Sequence, residues 1–180
     1  MLVFVTRYLD LFTTYYSLYN SVMKVIFIVS SSAIVYLMKF KKPICDTYDP
    51  TMDSFFVPYL IAPCAILALI INDYFTPQEI LWTFSIYLEA VAIVPQLVVI
   101  HSLAKQQNGF VESLTSDYVF TLGGYRALYL VNWLYRITTE SHYRNWIVWI
   151  SGLVQTAIYC DFFYYYALAR MKGQKMSLPI

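Results

Sequence analysis

Charge is scarce in this chain. Asp, Glu, Lys and Arg make up only 13% of its 180 residues, and twelve basic against eleven acidic side chains leave a net charge of +1. So small a surplus gives no field to hold a polyanion, which excludes nucleic acid as a partner. Glycine is rare as well, with five residues, and the pair Gly123-Gly124 follows an apolar run instead of opening a phosphate loop. There are two histidines, His101 and His142, and no HExxH, GxSxG or Walker pattern. Neither an enzyme nor a bound metal or cofactor is expected. Cys45, Cys64 and Cys160 lack a CxxC or metal-type spacing and read as small buried hydrophobes.

What the chain has in excess is apolar surface. It is 59% hydrophobic, with 18 Tyr, 12 Phe and 4 Trp. That is too apolar for an ordinary soluble domain and too aromatic for a disordered one. The lipid bilayer is its expected solvent. At about 20 residues per spanning helix the length holds about six spans, with almost nothing left for a soluble domain. Apolar runs over 2–20, 22–38, 55–71, 80–100, 117–135 and 146–169 predict an all-α, polytopic membrane protein forming one transmembrane domain over 1–180. Pro58 and Pro63 fall inside the third run, where a membrane helix tolerates them if neighbouring groups satisfy the freed carbonyls.

Orientation follows from the cations. One alternate set of connections holds Lys39, Lys41, Lys42, Lys105, Arg170, Lys172 and Lys175, and the other holds Arg136 and Arg144. The positive-inside rule then predicts a cytoplasmic C-terminus, with 170–180 as a short tail, and an even number of spans puts the N-terminus on the same side. Met1-Leu2-Val3-Phe4-Val5 already lies in an apolar run with no flanking charge, so a truncated start is expected: a short isoform, a misplaced gene start or a designed fragment.

Charged groups at bilayer depth cost about 2.5–3.5 kcal/mol each, so each one needs a partner or a function. Arg7, Asp10, Lys24, Glu79, Glu89, Arg126 and Asp161 are of this kind. Arg7 and Asp10 stand three apart, so they either pair with each other or face a cavity. The cavity reading draws support from neighbouring stripes. Tyr125, Tyr129, Asn132, Trp133 and Arg136 share one helical face with Arg126 beside them, and Glu79, Trp82 and Glu89 share another. With Tyr8 these residues form a surface carrying both signs of charge and Trp and Tyr rings. Such a surface suits a short charged peptide: Arg grips carboxylates bidentately, and the rings cover a cation. Tyr159, Tyr164, Tyr165 and Tyr166 read instead as lipid-facing or belt aromatics. Val94-Pro95-Gln96-Leu97 is similar to the PQ-loop signature of small transporters built from three-helix repeats, which keeps a small-solute transporter with Pro95 as hinge as the alternative function.

Several stretches taken together resemble the KDEL receptor family, the ER lumen protein retaining receptors. They are Thr6-Arg7-Tyr8-Leu9-Asp10-Leu11-Phe12, Ser17-Leu18-Tyr19-Asn20, Trp82-Thr83-Phe84-Ser85-Ile86-Tyr87-Leu88-Glu89, Tyr125-Arg126-Ala127-Leu128-Tyr129, Asn132-Trp133 and Tyr159-Cys160-Asp161-Phe162-Phe163-Tyr164. The resemblance implies a seven-helix fold of the SWEET and PQ-loop kind, of which this chain would represent about six helices. It implies a receptor that binds C-terminal Lys-Asp-Glu-Leu or His-Asp-Glu-Leu signals in the acidic Golgi, returns with its cargo in COPI vesicles and releases it in the ER. Location in ER and Golgi membranes comes with it, as do the retention-signal peptides and the COPI coat as partners. It assigns Arg7 and Tyr8 to the ligand carboxylate, and Asp10, Glu79 and Trp82 to its basic residue. Trp133 and Arg136 would face its acidic residues, with Tyr129 and Asn132 on the same face. Glu89, Tyr125 and Arg126 would form a proton-sensitive cluster. Asp161 would serve transport, and Arg170, Lys172 and Lys175 coat engagement, with Gln174 where a lysine is usual. A full member starts before Met1, and that earlier part holds an Arg for the ligand and a pH-sensing His; neither His101 nor His142 matches that His. The expectation is therefore a receptor or a truncated, non-binding form of one.

Overall fold

The computed structural model describes residues 1–47, 55–140 and 145–178; Pro50, His142, Arg144 and Pro179 lie outside the described residues. Among the described residues there are seven α-helices and no named strand: α1 (Leu2–Arg7), α2 (Leu18–Phe40), α3 (Pro58–Ile70), α4 (Pro77–Val91), α5 (Val94–Gln106), α6 (Ser113–Thr139) and α7 (Trp146–Met171). The all-α polytopic expectation holds. The first apolar run is not one helix, however: α1 stops at Arg7, a 3-10 turn follows over Tyr8–Phe12, and the chain re-enters a helix at Leu18. The restart has a local cause, because the Ser17 side chain accepts a hydrogen bond from the Asn20 amide at 3.2 Å and caps α2.

Prolines mark three further starts. Pro58 and Pro77 open α3 and α4, and Pro95 sits in the first turn of α5, where a missing N–H costs nothing. Pro95 thus divides the apolar stretch Pro77–Gln106 into α4 and α5 at Ala92-Ile93. Pro63 lies inside α3. Among the described residues three stretches are long and apolar enough to cross a membrane, Leu18–Phe40, Pro77–Gln106 and Trp146–Met171, with Pro58–Ile70 apolar but shorter. The 27 residues of α6 reach about 40 Å. Length is not what separates α6 from that set; its polar stripe is.

The chain forms two compact units, 1–89 and 90–180. In the first, Phe4 stacks on Phe27 at 5.8 Å and on Tyr8 at 5.7 Å, joining α1 to α2. The end of α3 is tied to α4 by the Tyr87 hydroxyl, which donates to the Ile71 carbonyl at 3.0 Å. In the second, the core consists of Ile93, Ile100 and Ala104 with Val111 and Val119, Tyr159 and Phe162 of α7, and Met176 and Leu178 of the tail. Small residues bring α6 and α7 together. A Cβ on Gly123 would stand 2.6 Å from the rings of Tyr159 and Phe163, and one on Gly152 would overlap Trp133. Tyr159 is therefore not a lipid-facing ring as its composition suggested. It is 2% exposed because glycine leaves it a socket. Tyr164 is exposed as expected, whereas Tyr166 donates to Asp117 at 2.7 Å. Of the cysteines, Cys64 is buried as read, but Cys160 is exposed and Cys45 half-buried; all three are free thiols.

Candidate functional site

Within the first unit the in-span charges find partners on other elements. Arg7, the last residue of α1, forms an ion pair with Glu89 of α4, and its Nε donates to Ser85 Oγ at 3.1 Å. Ser85 and Glu89 are four apart, so one face of α4 holds the guanidinium at two points. Ser85 also donates to the Trp82 carbonyl at 2.5 Å, which orients its lone pairs toward Arg7. Asp10, in the 3-10 turn, takes a different partner: Lys24 Nζ of α2 donates to its Oδ2 at 2.6 Å. The Arg7–Asp10 pair that their spacing allowed is thus replaced by two pairs reaching to separate helices.

Lys24 is 8% exposed, and its ammonium lies 5.8 Å from the Tyr8 ring centroid and 5.7 Å from that of Tyr16. The other carboxylate oxygen of Asp10, Oδ1, is buried without a hydrogen-bond partner among the described residues. An acceptor in that state is costly to leave unpaired and is suited to receive a donor from a ligand. Glu79 and Trp82, which precede Glu89 on α4, are half-buried, and Thr76 caps the helix start by accepting from the Glu79 amide at 3.3 Å.

The second unit carries the α6 stripe. Tyr125 donates to the Tyr129 hydroxyl at 3.0 Å, and the rings of Tyr125, Tyr129, Trp133 and Trp149 follow one another at 5.0, 6.1 and 5.8 Å. The guanidinium of Arg126 lies 5.5 Å and 5.9 Å from the centroids of Tyr125 and Tyr129. Tyr125, Tyr129 and Trp133 thus form a column of rings along one helical face, with a cation beside it, and Trp149 joins the column from α7. Asn132 is exposed on the same helix. At its end Arg136 grips Glu140 through two hydrogen bonds, 3.0 and 2.9 Å. These bonds hold the exposed Glu140 carboxyl below the ordinary glutamate range.

A family model for ER lumen protein retaining receptors matches residues 1–136. The chain belongs to that family. It is 57% identical over 179 residues to an ER lumen protein-retaining receptor of Drosophila melanogaster, covering 98% of this chain and 80% of that protein. It is 53% identical to receptor A of Arabidopsis thaliana over 178 residues and 53% identical to receptor 2 of Gallus gallus over 180, each across 99% of this chain and 80% of the relative. This is a family of receptors, not of enzymes, and the chain is a multi-pass membrane protein of the secretory pathway.

The matched span of the retaining receptor family holds every candidate ligand residue from Arg7 to Arg136. Beyond it, Asp161 is exposed on α7 and lines a small cleft with His101, Leu97, Ile100, Phe162 and Leu178. Arg170 is engaged by Asp117 at 2.5 Å and by Tyr166 at 2.9 Å, which ties α7 to α6, and Arg170, Lys172 and Lys175 are all exposed. Sequence reasoning passed over Ser85 and gave Lys24 no role. The signal for Ser85 was its spacing of four from Glu89; nothing local joins Lys24 to Asp10, fourteen residues away.

Proposed function

We propose that this chain is a membrane receptor for the C-terminal Lys-Asp-Glu-Leu or His-Asp-Glu-Leu signal of soluble ER proteins, binding in the Golgi and returning with COPI vesicles, in a pH-dependent manner. Arg7 and Tyr8 receive the ligand's terminal carboxylate, and Asp10, Glu79 and Trp82 its basic residue. Trp133 and Arg136, with Tyr129 and Asn132, face its acidic side chains, and Glu89, Tyr125 and Arg126 respond to protons. Asp161 serves transport, and Arg170, Lys172 and Lys175 the coat.

The observation that carries this reading is the Arg7–Glu89 ion pair. A ligand carboxylate must compete with Glu89 for the same guanidinium. Protonating Glu89 removes the competitor and frees Arg7, whereas deprotonation lets Glu89 reclaim it. Binding in an acidic compartment and release in a neutral one follow without a histidine. The buried, unpartnered Oδ1 of Asp10 supports its role toward a lysine or histidine donor.

The test is titration of a labelled His-Asp-Glu-Leu peptide onto the purified receptor at about pH 5.5 and about pH 7.4. Binding is expected to be tighter at the lower pH and to vanish in Arg7→Ala, with size exclusion verifying that the variant remains folded. Undiminished binding by Arg7→Ala would sink the assignment.

A further inference from the structure

The last turn of α7 is followed by a segment that folds back on the second unit and stays there. Gly173, at φ 61, supplies the left-handed residue that the reversal needs. The chain then pairs with the α5–α6 connection: the Val111 amide donates to the Met176 carbonyl at 2.9 Å, and the Leu178 amide donates to the Gly109 carbonyl at 2.9 Å. Met176 and Leu178 are 4% and 6% exposed in the core. The tail up to Leu178 is thus a built wall, not a loose end.

Between this wall and α7 lies a groove of about 260 Å³, whose lining includes Tyr165, Leu168, Lys172, Lys175, Ser177 and Leu178. Its lining is mixed in chemistry. Leu168 and Leu178 contribute apolar surface, and Lys172, Lys175 and the Ser177 hydroxyl contribute cationic and hydrogen-bonding groups. Among the described residues neither lysine ammonium has an ion-pair partner, and the nearby Asp117 is already taken by Arg170 and Tyr166. The position adds a third constraint. The stretch Trp146–Met171 is long and apolar enough to span the bilayer, so residues directly after Met171 stand at headgroup level.

We propose that this groove is a binding site for a single anionic phospholipid. Its headgroup phosphomonoester sits between Lys172 and Lys175, and the start of an acyl chain lies against Leu168 and Leu178. A dianionic phosphate matches two unpaired ammonium groups, and an apolar floor beside them selects a lipid over a free anion. The site shares Lys172 and Lys175 with the coat role proposed above but none of the peptide-binding residues, so lipid retention and peptide binding can each fail alone.

The test uses the full chain in detergent with native mass spectrometry, and phosphatidylinositol 4-phosphate, phosphatidylcholine and inorganic phosphate as probes. The phosphoinositide is expected to be retained over phosphatidylcholine. Lys172→Gln and Lys175→Gln are each expected to weaken retention about 5-fold, and the double variant about 25-fold. Leu178→Ser, which leaves the charge unchanged, weakens it as well. Changing Lys39, Lys41 and Lys42 to Gln leaves it within about 2-fold. Full retention by the Lys172/Lys175 double variant overturns the proposal, as does full retention by Leu178→Ser. An equal loss in the Lys39/Lys41/Lys42 variant reduces the effect to general surface attraction, and displacement of the lipid by equimolar inorganic phosphate shows an anion site only; either result also overturns it.

Discussion

At the scale of single residues, the decisive contacts are those that occupy Arg7. Glu89 and Ser85 hold it from one face of α4. Glu89→Gln keeps the shape of the side chain and removes its charge, so it mimics the protonated residue. This variant is expected to bind the peptide at about pH 7.4 as tightly as the unaltered receptor does at about pH 5.5, flattening the pH profile in the same titration. Glu140 provides the contrast. Its carboxyl is held low by Arg136, so the pair's contribution is present above the ordinary glutamate range and is lost only as pH falls through that lowered value. Glu140 remains ionised in both compartments and cannot be the switch. Glu140→Gln should leave the ratio of acid to neutral affinity unchanged in that assay. The sequence showed which in-span charges needed partners, because each is expensive in lipid. It did not show which partners they have, since Lys24 with Asp10 and Arg7 with Glu89 are joined by tertiary structure alone.

At the scale of elements, the closeness of α6 and α7 depends on two glycines on opposite helices. Gly152 faces the Trp133 ring so closely that a methyl group would overlap it, while a Cβ on Gly124 would meet nothing within 4 Å. Gly152→Ala is therefore expected to cost about 1–3 kcal/mol through overpacking. A thermal melt in detergent would show it as a fall of about 2–12 °C in Tm. Gly124→Ala should melt with the unaltered receptor. The tilt of Trp133 in the ring column would also change, so the effect reaches the α6 stripe. The stripe itself was legible because spacings of three and four on a helix dictate a common face. The helix boundaries were less so. The first apolar run reads as continuous through Asn20, and only the cap geometry of Ser17 and the tightening at Tyr8 divide it. The burial of Tyr159 was hidden for a similar reason, since it depends on a glycine on another helix.

At the scale of the whole molecule, composition alone indicated a bilayer protein, and six apolar runs anticipated the helical segments, with α4 and α5 sharing one run. Among the described residues three stretches satisfy length and apolarity together, because α3 is short and α6 is polar along one side. Orientation rests on the distribution of cations. We expect Lys172 and Lys175 on the cytoplasmic side: a glycosylation acceptor appended after Ile180 should remain unmodified in microsomes, and its modification would reverse the assigned topology. The Asp10–Lys24 pair also bears on how the chain enters the membrane. Synthesis runs from the N-terminus, so the carboxylate leaves the ribosome before the ammonium that needs it. When α2 reaches the translocon, its one deeply buried cation meets a counter-ion already waiting in the preceding segment, so these two charges insert as a pair, whereas Arg7 has to wait for Glu89 of α4.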